Sequence, residues 1–211
     1  MIYVEVLGLI FSSVAGAMVA IDKRADIFGV LFLAVITAFG GGITRDIILG
    51  IIPHFFTSYT YVVLTLTSAL IVFIWAYFGA DKYLSRHETV DSIINVFDAL
   101  ALASYTVVGM NIAIEECGMD NALLIICLGM ITGIGGGMLR DMMVNTMPFV
   151  LRKRIYAVAS LAGALVYYML LRLGVGSSVG SVAAVTLIFA LRICATIFKW
   201  SLPRVKFSDK K

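Results

Sequence analysis

Two stretches of this sequence join backbone freedom to charge: Gly40-Gly41-Gly42-Ile43-Thr44-Arg45-Asp46 and Gly135-Gly136-Gly137-Met138-Leu139-Arg140-Asp141. They lie at a constant offset of 95 residues, which also pairs Pro53 with Pro148 and Ala34, Ala38 and Gly42 with Gly129, Gly133 and Gly137. Each glycine costs about 1 kcal/mol relative to alanine inside a helix. The triplets therefore predict that the helix carrying them is broken or sharply bent; the alternative is that the Gly-Arg-Asp constellation only packs and pairs the two halves. A break frees carbonyls at the end of one half-helix and amides at the start of the next, and these partial charges can address an ion. The following Arg and Asp add full charges. Neighbouring residues on a helix point about 100° apart, so the expected partners lie across the two copies: Arg45 with Asp141 or Asp98, and Arg140 with Asp46.

The elements that must hold these residues are membrane spans. Of 211 residues, 61% are hydrophobic and 14% charged, and the mean hydropathy is +1.02, which points to a lipid-embedded chain rather than a soluble domain. An apolar helix needs about 20 residues to cross the hydrocarbon core. Seven such runs are expected, near residues 2–21, 27–52, 59–79, 92–113, 121–149, 155–171 and 173–198. Ala15-Gly16-Ala17 resembles a signal-peptidase site, but the first basic residue, Lys23, follows the apolar run instead of preceding it, so the first run is read as a span.

Placement of Lys and Arg orients the spans. The loops after the first, third and fifth spans, with the C-terminal tail, hold twelve: Lys23, Arg24, Lys82, Arg86, Arg152, Lys153, Arg154, Lys199, Arg204, Lys206, Lys210 and Lys211. The other side holds Arg172 alone. By the positive-inside rule the C-terminus is expected in the cytoplasm and the N-terminus outside. The basic tail reads as a topology signal rather than a nucleic-acid or lipid site. Three spans per copy, an odd number, make the repeat inverted, with its pseudo-two-fold axis in the membrane plane. The expected division is residues 1–80, 91–172 and a remainder, 173–211, holding the seventh helix. The expected fold class is thus an all-α membrane protein of two inverted three-helix repeats plus one helix.

Other polar residues are assigned by spacing. Asp98 with Asn95, Ser104, Thr106 and Asn111, and Ser12 and Ser13 in the first span, either wet a pathway between the halves or bond helices together. Arg192, two turns from Lys199, is expected to snorkel towards the interface. Cys117, Cys127 and Cys194 lack metal spacing and are expected to be buried structural thiols; His54 and His87 form no ligand set. No nucleophile–base pair, phosphate loop or redox motif is present in the sequence, so neither an enzyme nor a cofactor-dependent protein is expected.

The doubled Gly-Gly-Gly-x-x-Arg-Asp motif, in two three-helix units plus a seventh helix, resembles the prokaryotic branch of the trimeric intracellular cation channel family, which overlaps with glycine-transporter-like membrane domains. The resemblance covers nearly the whole chain. It implies a homotrimer in the plasma (inner) membrane of a prokaryote, with one pore per protomer for potassium and sodium ions passing between the repeats. On that reading the pore and gate residues are Gly40, Gly41, Gly42, Thr44, Arg45, Asp46, Asp98, Gly135, Gly136, Gly137, Arg140 and Asp141, with the arginines neutralised by acids at the constriction. The alternative from the residues alone is a secondary transporter of a small zwitterion such as glycine, whose carboxylate suits an arginine and half-helix amides. Topology is directly testable: a fluorescent reporter fused after Lys211 should fluoresce in the cytoplasm, whereas alkaline phosphatase at the same position should be inactive.

Overall fold

A computed structural model describes residues 2–79, 87–152 and 155–200. Nine helices form among these residues: α1 (Ile2–Asp22), α2 (Ile27–Leu49), α3 (His54–Thr57), α4 (Tyr59–Phe78), α5 (His87–Cys117), α6 (Ala122–Met143), α7 (Phe149–Arg152), α8 (Tyr156–Arg172) and α9 (Ser177–Ile197). Six are long and apolar enough to cross a membrane, and α8 is a shorter apolar helix at the lower end of the roughly 17–25 residues a span needs. Large apolar side chains such as Phe28, Trp75, Phe78 and Leu123 face outward, while six charged residues among those described are buried. That inversion of the soluble pattern suits a lipid surround. Lys82, Arg86, Lys153, Arg154 and the tail from Ser201 lie outside the described residues.

The second and fifth spans end earlier than their apolar runs. Gly50 adopts the left-handed conformation at φ 71° and stops α2. Asn145, its counterpart at the same offset, does so at φ 53° just after α6. Each chain then passes a proline into a short helix, α3 or α7. The fourth span is longer than its apolar run, because α5 extends it at both ends to His87 and Cys117.

The expected breaks at the glycines are not there. Helix α2 runs without interruption through Gly40–Gly42, and α6 through Gly135–Gly137. The glycines serve packing instead. A Cβ on Gly41 would fall on the carbonyl oxygen of Thr132, and one on Gly136 on that of Thr37. Residue 37 maps to 132 and 41 to 136 at the 95-residue offset, so the contact is reciprocal. Gly135 is likewise held within 2.9 Å of the Gly41 Cα, measured from its own Cβ position. Close backbone approach of this kind replaces the hydrophobic effect as the source of helix association in lipid.

Other contacts recur at the same relation. Asp26 caps α2 by accepting from the Gly29 amide, and Asn121 caps α6 by accepting from the Leu124 amide. Gly16 of α1 sits against Ala34 and Thr37, and Gly109 of α5 against Gly129 and Thr132. The Ser13 hydroxyl donates to the Thr65 carbonyl at 2.7 Å, while the Thr106 and Ser160 hydroxyls meet at 2.8 Å. Within α1 and α5 the matching offset is 93, which also pairs Glu5-Val6-Leu7-Gly8-Leu9 with Asp98-Ala99-Leu100-Ala101-Leu102. Of the polar residues read as a wet pathway, Ser13, Thr106 and Asn111 are spent on such helix-to-helix bonds; Asn111 accepts from the Tyr167 hydroxyl at 2.7 Å.

The cysteines depart from expectation: Cys117 and Cys127 are exposed and Cys194 is half-buried. Cys127 lines an outward apolar groove with Met130 and Met138, where a thiol acts as a small apolar group. The Gly–carbonyl contacts carry a direct test. Gly136→Ala should lower the unfolding midpoint in detergent by an amount equivalent to about 1–3 kcal/mol of overpacking. Gly176→Ala, with open space around its Cβ, should stay within about 0.5 kcal/mol.

Candidate functional site

Arginine and aspartate of each motif pair with one another, not across the copies. Arg45 approaches Asp46 Oδ1 at 2.7 Å through Nε and 2.6 Å through Nη2. Arg140 approaches Asp141 Oδ1 at 2.9 Å through both Nε and Nη2. The 100° step between neighbours does not prevent this, because the long arginine stem curls back along its own helix. Gly42 and Gly137 lie beside the forks: a Cβ at either position would stand 3.7 Å from the guanidinium of the same motif, an ordinary van der Waals contact. The expected pairs Arg45–Asp141, Arg45–Asp98 and Arg140–Asp46 are replaced by these local forks.

The second carboxylate oxygen of each aspartate holds the chain after the proline. Asp46 Oδ2 accepts the His54 amide at 3.1 Å, and Asp141 Oδ2 accepts the Phe149 amide at 2.8 Å. Each aspartate therefore ties its long helix to the first turn of the following short one. A charge-assisted bond at a helix N-terminus is favourable on both counts.

Beyond this shared core the two clusters diverge. Arg140, fully buried, also donates to Asp98 Oδ1 at 3.0 Å and lies 5.4 Å from the Phe149 ring centroid. Arg192 of α9 completes the second cluster. It lies 3.6 Å from Asp98 Oδ2, donates to Asn95 Oδ1 at 3.1 Å and stacks 4.5 Å over the Tyr156 ring. Snorkelling is thereby ruled out for Arg192, which is 2% exposed; the pull of Asp98 and the tyrosine face outweighs the interface. In the first cluster Tyr61 donates to Glu5 at 3.1 Å, and Tyr61 and Tyr156 stand at the 95-residue offset.

A cavity of about 40 Å³ opens at the first cluster, bordered by Glu5, Arg45, Asp46, His54, Tyr61 and Tyr105. A second, of about 10 Å³, is bordered by Ser12, Thr37, Asp98, Gly136, Gly137 and Tyr156. Tyr105 and Thr132 line both. Of the glycines read as site residues, Gly42 faces the first cavity, and Gly136 and Gly137 face the second. Gly40, Gly41 and Gly135 lie in the helix contact. Thr44 is not brought to either cavity: it is exposed on the outer groove and its hydroxyl donates to the Gly40 carbonyl at 2.8 Å. Sequence reasoning missed Glu5, Tyr61, Tyr105, Tyr156 and Arg192. The repeat offsets were a signal for Glu5 and the Tyr61–Tyr156 pair; none existed for Arg192, which lies outside the repeat.

Comparison with known proteins agrees with an all-helical membrane fold. The family model described as "Glycine transporter" matches residues 2–77 and again 95–172. The membrane protein YvgT of Bacillus subtilis is 33% identical over 205 residues, covering 96% of this chain and 95% of its own. The inner membrane protein YadS of Escherichia coli is 35% identical over 169 residues, covering 78% and 76%. The trimeric intracellular cation channel orthologue from Rhodobacter sphaeroides superposes with a TM-score of 0.84 at 28% identity, covering 94% of this chain and 98% of its own. This class is a multi-pass, all-helical membrane protein with the fold of prokaryotic trimeric intracellular cation channels. Within it, the chain belongs to the glycine transporter family.

The clusters differ in how much water reaches them, and that sets a prediction. Arg140→Ala leaves Asp98 and Asp141 charged in a sealed site and should cost about 3–5 kcal/mol. Adding Asp98→Asn should recover part of the loss. Arg45→Ala should cost less, since its cavity can hydrate Asp46. Thermal unfolding of the purified variants in detergent checks all three.

Proposed function

We propose that this chain forms a channel for monovalent cations, potassium among them, with one pathway per protomer between two inverted three-helix units, residues 1–80 and 91–172. The observation that carries the reading is the pair of cavities, each bordered by charged and hydroxyl side chains, that share Tyr105 and Thr132 in their walls. Most of their walls come from α1, α2, α5 and α6, the helices whose contacts repeat between the halves, with α3, α4 and α8 adding His54, Tyr61 and Tyr156. Irregular or polar surface at membrane depth is tolerated where it lines water, and here each arginine is neutralised by a carboxylate, which removes its repulsion of a passing cation. Tyr105, whose hydroxyl is buried and which lines both cavities, is the proposed constriction. Unbroken helices mean that hydroxyls and carboxylates, not freed half-helix carbonyls, replace the water of the ion. The likeness to a trimeric cation channel supports a homotrimer embedded in bacterial inner-membrane lipid, with the N-terminus outside and residues 173–211 forming a seventh spanning helix and a cytoplasmic tail.

The family description favours a second reading, a glycine carrier. The first cavity, about 40 Å³, has room for roughly three water-sized centres at 10–15 Å³ each, fewer than the heavy atoms of glycine, and so suits an ion better in this conformation. Purified protein in a planar bilayer with a potassium gradient separates the readings. Discrete current steps reversing near the potassium equilibrium potential are expected, with a larger unit conductance in Tyr105→Ala. Silence together with saturable, ion-coupled glycine uptake into proteoliposomes would replace the channel with a carrier.

A further inference from the structure

The two pseudo-equivalent clusters are unequal in charge. Counting histidine as neutral, the second holds Asp98, Asp141, Arg140 and Arg192 and balances to zero. The first holds Glu5, Asp46 and Arg45 and keeps one negative charge in excess. Glu5 and Asp98 occupy corresponding positions, each eleven residues before the glycine that packs on the following helix, Gly16 or Gly109. Each has a tyrosine of the third helix of its half beside it: Tyr61 on Glu5, and Tyr156 next to Asp98. What differs is the cation. Asp98 has the Arg192 guanidinium at 3.6 Å, supplied by a helix that has no counterpart in the first half. Among the described residues no basic group lies within ion-pair distance of Glu5, which instead borders, with Tyr61, the cavity of about 40 Å³.

We propose that the Glu5 cavity is a binding site for a small monovalent cation, and that Arg192 is a tethered cation filling the equivalent place beside Asp98. The inference rests on the channel reading for its role, as an ion-concentrating site at one mouth, but not for its existence. The chemistry of the walls selects the ligand. Carboxylate and phenol oxygens of Glu5, Asp46, Tyr61 and Tyr105 are hard donors suited to alkali cations. The single excess charge matches a monovalent ion, and Arg45 opposes the accumulation of a divalent one. The volume admits potassium or sodium with a few waters and excludes a bulky organic cation such as N-methyl-D-glucamine. Arg192 has a second consequence: by occupying its cluster it leaves the chain with one such site instead of two.

The test uses the purified full chain in detergent at pH 8 and constant ionic strength, replacing N-methyl-D-glucamine chloride stepwise by potassium chloride while the unfolding midpoint is followed. Wild type should show a saturable rise, and Glu5→Gln should raise the half-saturating potassium concentration about tenfold or more. Absence of the rise in wild type, or an unchanged rise in Glu5→Gln, overturns the site. Arg192→Gln should add a second saturable component that free guanidinium chloride at low millimolar concentration also produces; a single component still dependent on Glu5 would overturn the assignment of Arg192. Should Arg192→Gln not fold, Arg192→Lys serves, since an ammonium keeps the cluster filled and must leave the single component unchanged. Bilayer currents from the same preparations keep the two readings apart. Currents without a Glu5-dependent shift defeat the cation site alone, and a Glu5-dependent shift without currents defeats the channel alone.

Discussion

The contact on which the rest of the molecule depends is between two backbones. Gly41 and Gly136 let α2 and α6 close until the carbonyls of Thr132 and Thr37 fill the space a side chain would take. In lipid there is no hydrophobic gain from bringing helices together, so this density of van der Waals contact is what joins the halves. It also sets the depth of everything attached. Four residues after each contact glycine comes the arginine, and five after it the aspartate, so that both forks are displaced by the same distance from the crossing, one along each helix.

Buried charge is made tolerable at these sites by short-range satisfaction rather than by long-range pairing. Each aspartate takes its own arginine on one oxygen and a backbone amide on the other. This leaves the forks independent of each other and lets their surroundings differ. The second fork is sealed by Asp98, Arg192 and two aromatic rings. The first looks onto a cavity and keeps an unbalanced carboxylate. The two halves thus share a symmetry of packing but not of charge, and the element responsible is α9, which adds a single guanidinium to one cluster.

The doubled motif, its offset of 95 and the mean hydropathy were enough to read a helical membrane protein made of two related halves, because period, length and composition are local properties. The repeat also carried Glu5 and the two tyrosines, had the alignment been extended beyond the glycines with an offset of 93 for the first helices. The role of the glycines was not legible in this way. A helix-propensity cost of about 1 kcal/mol each reads as a break only when nothing opposes it, and here the packing of α2 on α6 does.

Partner choice was likewise beyond the sequence. Whether Arg45 reaches Asp46 or Asp141 depends on the path of a flexible side chain, and whether Arg192 turns to the interface or inward depends on an aspartate 94 residues away in the chain. Sequence by itself determined the solvent, the number of apolar runs and the existence of the repeat. Only tertiary structure decided which charges meet and which cavity stays open, because electrostatic energy in a low-dielectric interior follows distances of a few ångströms that no spacing along the chain encodes.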